Sequence, residues 1–180
     1  VAKAGIARTF QNIRLFGEMT ALENVMVGRH VRTKGSVLGS IFRTKTVRKE
    51  EADIKEKAME LLEYVGIGQY HDYVARNLAY GIQRRLEIAR ALATEPKLLA
   101  LDEPAAGMNS TEKLELTQLL RRISNDGTTI LIIEHDVKLI MSLCNEMTVL
   151  DYGKILAQGT PEQVRENPAV IEAYIGGAKE

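Results

Sequence analysis

Three places along this chain of 180 residues carry side chains suited to phosphate chemistry. Asp102 and Glu103 end the apolar run in "LLALDEP". Acids at the carboxyl end of a buried strand sit where open α/β sheets bind ligands. Asp102 there suits a divalent cation held through water, and Glu103 suits orienting or deprotonating an attacking water. Taken alone, the pair also reads as a strand that ends in an acidic turn. His135 closes a second apolar run, "TTILIIEHD", where it would touch and sense a terminal phosphate or serve as a satisfied structural histidine. Gln11 follows "ARTF". It suits a contact to metal and water that moves on nucleotide binding, or is simply a polar residue after a strand.

A fourth stretch, "LAYGIQRRLEIAR" over residues 78–90, passes from a turn around Gly81 into a run of helix formers. A helix N-terminus offers free N–H groups and a partial positive charge, which suits an anion. Glycine permits close backbone approach. An ordinary loop-to-helix junction has the same composition.

These residues need elements to hold them. "KLLALDEP" predicts a buried strand, and "TTILIIEHD" a second one. Asn109 with Glu112 makes a capping box, and Leu116, Leu119, Leu120 and Ile123 form one face of the helix it opens. Val137, Ile140, Met141 and Cys144 give a further helical stripe. "MTVLDYGKILAQG" predicts two strands around Tyr152-Gly153, and Thr160-Pro161-Glu162-Gln163 a capped helix start. "GIARTFQ" predicts one short strand. Residues 51–66 predict an amphipathic helix with Ile54, Ala58, Leu61, Leu62 and Val65 inward. Strands alternating with helices imply βαβ units, a parallel sheet and an α/β core carrying a mostly helical lobe.

Composition narrows the function. The chain is 45% apolar and 27% charged with a net charge of zero, which gives no support to nucleic-acid binding. Cys144 is the single cysteine, so no intrachain disulfide forms, in keeping with a reducing compartment. No apolar run reaches the length of a membrane span. Residues 29–49 hold seven Lys/Arg and no acid. That stretch suits an anionic surface, or is a variable basic loop.

In their order along the chain, Gln11, Gly81, Asp102-Glu103 and His135 resemble the ATP-binding subunits of ABC transporters. "TFQ" is similar to the Q-loop, "LAYGIQRR" to the signature motif, "LLALDEP" to the Walker B strand, "AAGMN" to the D-loop and "IIEHD" to the switch-histidine loop. The stretches "GIARTFQNIRLFGEMTALENV" and "GTPEQVRENPAVIEAYIG" resemble the ATPase subunits of branched-chain amino acid uptake systems most; the ATPase subunit of lipopolysaccharide export is the nearest alternative. The signature is usually Leu-Ser-Gly-Gly-Gln. Only Leu78 and Gly81 match it position by position, with Ala79, Tyr80 and Ile82 departing and Gln83 just beyond. Asn109 stands where the family has the D-loop aspartate.

The resemblance implies a P-loop NTPase-like α/β fold. It implies residues 1–12 as core strand and Q-loop, 13–78 as helical lobe, and 79–180 as signature helix and α/β core. It implies ATP and Mg²⁺, with Glu103 and His135 catalytic, Asp102 and Gln11 at the metal, and Gln11, Ala79, Tyr80, Gly81, Ile82, Gln83 and Asn109 at the nucleotide. It implies a second ATPase subunit, membrane permease subunits and, indirectly, a solute-binding protein at the cytoplasmic face of the inner membrane. No glycine here has a second glycine five residues on, so the sequence lacks G-x-x-x-x-G-K-[ST]. The expectation is therefore an amino-terminally incomplete ATPase domain. A non-hydrolysing interaction module of the same fold is the alternative.

Overall fold

A computed structural model describes residues 2–30 and 45–174. These divide into two units, Val1–Ile133 and Glu134–Glu180. In the first unit, strands β1 (Ile6–Arg8), β2 (Leu98–Asp102) and β3 (Thr129–Ile133) form a parallel sheet in the order β1-β2-β3. Ala7 pairs with Leu99, and Asp102 pairs with Ile133 at the carboxyl end. Leu99 and Leu101 are fully buried, as an apolar central strand requires. β3 departs from expectation. It is not wholly buried, because it borders β2 alone among the described strands, and Leu131 and Ile133 remain more than half exposed.

The helices of this unit are α1 (Ala21–Arg29), α2 (Lys45–Tyr64), α3 (Tyr80–Leu92) and α4 (Ser110–Asn125). Residues 31–44, most of the basic stretch, lie outside the described residues. α2 starts earlier than its apolar stripe because its first turns are polar. Ile54, Ala58, Leu62 and Val65 are buried as the spacing predicts, with Leu61 half-buried. α1 packs against both α2 and α3. Its contact with α3 depends on Gly28: a Cβ there would lie 2.4 Å from the Arg90 carbonyl oxygen. Asn24 is fully buried. It accepts from the Phe16 N–H at 2.9 Å and donates to the carbonyls of Phe16 and Thr20, fixing the loop ahead of α1. In α4 the expected face is the buried one, and the Asn109–Glu112 capping box is formed.

The second unit holds α5 (Val137–Leu143), an antiparallel hairpin of β4 (Met147–Asp151) and β5 (Lys154–Gly159), α6 (Pro161–Arg165) and α7 (Pro168–Tyr174). Tyr152 and Gly153 turn the hairpin with φ of 44° and 77°. Thr160 caps α6 with Pro161 in its first turn, as the sequence predicts. The stripe of α5 is out of phase with expectation: Leu139 is its buried residue, whereas Val137 is exposed. Asp136 caps α5 and so fixes where the helix begins.

Candidate ATPase site

Within the first unit, the sheet's carboxyl end gathers side chains from two stretches of chain. β1 delivers Arg8 and, past its end, Gln11. β2 delivers Asp102 and Glu103. The Arg8 guanidinium meets the Asp102 carboxylate at 3.0 Å, and Gln11 Nε2 donates to Glu103 Oε2 at 2.9 Å. Register explains the first contact. Arg8 pairs with Ala100, and the side chains of Ala100 and Asp102 lie on the same face of β2. The Glu103 N–H donates to the Ile133 carbonyl at 2.9 Å, continuing the β2–β3 ladder by one bond. Glu103 has φ of 42°, in the left-handed region that a non-glycine residue enters at a cost. Such strain, held by surrounding bonds, clusters at functional sites.

The α3 start is built differently from the turn expected around Gly81. Ala79 is the N-cap, Tyr80 opens the helix, and Gly81 lies inside its first turn. The N–H groups of Ile82 and Gln83 both return to the Ala79 carbonyl at 3.0 Å. Ala79 has no side-chain oxygen, so no side chain caps α3, whereas Thr20, Asn109, Asp136 and Thr160 cap α1, α4, α5 and α6. Glycine at 81 answers a close approach from α4. A Cβ there would stand 3.1 Å from Glu112 Oε1. That carboxylate belongs to the α4 capping box and brings negative charge to the start of α3, where the dipole favours it. Gln83 turns its amide to the carbonyls of Ala75 and Leu78, closing the loop ahead of the helix. Asn109 accepts from the N–H groups of Thr111 and Glu112.

His135 belongs to the second unit. It is exposed, and its N–H donates to the buried Glu134 carboxylate at 3.2 Å. Two residues went unassigned by the sequence reading: Arg8, which partners Asp102, and Arg84, whose guanidinium is fully buried. Both lie within stretches quoted above, "GIARTFQ" and "LAYGIQRR", but residue type alone gives neither a role.

The donors suit magnesium. Asp102, Glu103 and Gln11 offer hard oxygens, and Mg²⁺ in nucleotide sites takes one or two carboxylates and fills its shell with phosphate and water. No group of three or more His, Cys, Asp or Glu that could hold a metal occurs among the described residues.

A parallel sheet with acids at its carboxyl end and a glutamine reaching them is an α/β architecture of the kind that binds ligands at that end. Residues 1–106 match the ABC transporter family, and the chain belongs to it. Membership implies nucleotide binding. Residues 154–180 match the narrower family described as branched-chain amino acid ATP-binding cassette transporter. The chain is 46% identical over 179 residues to the high-affinity branched-chain amino acid transport ATP-binding protein LivG of Escherichia coli, covering 99% of this chain and 70% of that one. It is 47% identical, with the same coverage, to the corresponding protein BraF of Pseudomonas aeruginosa. The fold superimposes with a TM-score of 0.78 on the ADP conformation of MJ1267, an ATP-binding cassette of an ABC transporter, at 35% identity over 97% of this chain and 70% of that one. No described helix is long and apolar enough to cross a membrane.

Proposed function

We propose that the chain is the ATP-binding and hydrolysing subunit of an importer for branched-chain amino acids. The identity of 46% across nearly its whole length to LivG carries this reading. The site supports it residue by residue. Glu103, held by Gln11, takes the proton of the attacking water. Asp102 releases Arg8 and faces the metal shell through water. Mg²⁺, when bound, screens phosphate charge and orients the terminal phosphoryl group. For His135, in the second unit, the role of sensing the terminal phosphate rests on its place in "IIEHD" alone. The uncapped start of α3, at Ala79, Tyr80, Gly81 and Ile82, faces a nucleotide held by a second ATPase subunit, with Gln83 bracing the loop behind it and Asn109 close to the shared interface. Catalysis by such a site is positioning and electrostatics.

These 180 residues contain no G-x-x-x-x-G-K sequence, so their share of the work is the hydrolytic and signature sides of the site. The subunit attaches peripherally to permease subunits at the cytoplasmic face of the inner membrane, and through them responds to a solute-binding protein. The test is transport. The complex isolated with its permeases and placed in vesicles should take up leucine, isoleucine or valine only with ATP. Vigorous ATP hydrolysis with no uptake of any of the three would overturn the assigned solute, and ATP-driven lipopolysaccharide extraction would replace it.

A further inference from the structure

Arg84 lies in the second turn of α3 and has no solvent exposure. Nη1 donates to the Phe10 carbonyl at 2.8 Å and to Glu87 Oε2 at 2.8 Å. Nη2 donates to the Gln11 carbonyl at 2.7 Å and to the Tyr80 hydroxyl at 3.1 Å. Two acceptors meet each terminal nitrogen, matching its two N–H groups. Glu87, 2% exposed, accepts from the Arg14 N–H at 3.3 Å, and Arg90 donates to the Arg14 carbonyl. One face of α3 thus grips residues 10–14. Tyr80 extends the connection the other way, since a Cβ on Gly107 would lie 3.6 Å from its ring.

Holding a helix in place does not require this. A buried ion pair loses much of its attraction to desolvation, and apolar residues of similar volume often stabilise as well. Here one polar atom, Arg84 Nε, is even left without a partner. What the guanidinium provides, and a lysine or methionine does not, is a rigid fork with several fixed directions. Its four acceptors belong to the Gln11 segment, to the first residue of α3 and to α3 itself.

We propose that Arg84, with Glu87 and Tyr80, is a positioning device that fixes Gln11 relative to the start of α3, so that the two nucleotide-facing ends of this unit move as one. This rests on the reading of the chain as a transport ATPase. Arg84 touches no reacting atom. It acts through Gln11, and through Gln11 on Glu103.

The test uses the assembled transport complex and three variants: Arg84→Lys, Tyr80→Phe, and the double variant Arg84→Met/Glu87→Leu, which removes both charges and avoids a lone buried one. ATP turnover, KM for ATP and leucine imported per ATP are measured with thermal stability. The double variant should fold with a midpoint close to the parent and lose turnover on the order of 10–100-fold, the scale of a small misplacement. KM should change far less, and transport per ATP should fall. Arg84→Lys should show the same split, and Tyr80→Phe a weaker one. Hydrogen exchange supplies a readout that needs no activity: amides of residues 10–14 should exchange faster in the double variant while α3 stays protected. Full turnover and full coupling in a folded double variant, or unchanged exchange at residues 10–14, would overturn the device. A parent complex without ATP turnover would overturn the function proposed above, leaving exchange to judge Arg84.

Discussion

Gln11 and Glu103, 92 residues apart in sequence, share a hydrogen bond of 2.9 Å from amide to carboxylate. The contact leaves the carboxylate oriented by a neutral donor. Glu103→Gln keeps the size of the side chain and removes its capacity to take a proton. Turnover of the transport complex should fall ~10²–10⁴-fold, the range for a lost general base, while ATP stays bound and holds two subunits together. Phosphate release and ATP-dependent association, measured side by side, check this. More than a tenth of the parent rate would remove Glu103 from the role.

Gly28 sets the spacing of α1 against α3. Alanine there places its Cβ 2.4 Å from a backbone oxygen, which cannot swing aside as a side chain would. Gly28→Ala should destabilise the fold by about 1–3 kcal/mol, the usual cost of overpacking. The helix gains propensity from the same change, but only about 1 kcal/mol at most. A urea denaturation midpoint equal to that of the parent would show that α1 slides freely.

Tyr64, at the end of α2, donates to Asp126 Oδ2 at 2.6 Å, just beyond α4. Partial burial first, then the Asp126 bond and charge, push its phenol from 10.0 up to about 12, with Arg122 opposing. The folded state therefore holds this proton more tightly than the unfolded state. The associated stability is complete below pH 10, is lost as pH rises, and is gone above about 12. Tyr64→Phe removes the ionisation. The stability difference between parent and variant should shift steadily against the parent from pH 10 upward and stay flat from pH 7 to 9. A difference independent of pH across both ranges would count against the bond.

Elements governed by neighbours in sequence were legible. The capping boxes at Asn109 and Thr160, the inward face of α4 and the hairpin at Tyr152-Gly153 follow from spacing alone. Thr20 and Glu23 form a further box at the start of α1, beyond those read from the sequence. Features set by distant chain were not legible. Gly81 reads as a turn glycine until Glu112 arrives beside it from α4. Gln83 reads as ligand-facing until its amide finds the carbonyls behind it. β3 reads as buried because its residues are apolar, yet burial depends on what packs against it, and Leu131 and Ile133 stay exposed. Arg84 and Glu87 look like surface helix formers, since charged residues are almost never fully buried unless paired. Asp102, Glu103 and Gln11 were named from residue type, and the sheet register joins their segments.

The left-handed backbone at Glu103 bears on how this position drifts. Glutamate and glycine codons differ by one base transition, and glycine enters that region without the steric penalty. Relief of strain of order 1–3 kcal/mol is available to the change. Selection for a well-folded chain therefore does not guard residue 103 and rewards its loss. Under the role proposed for Glu103, demand for turnover keeps the carboxylate there, and a lineage released from that demand would retain a sound, assembling and silent subunit.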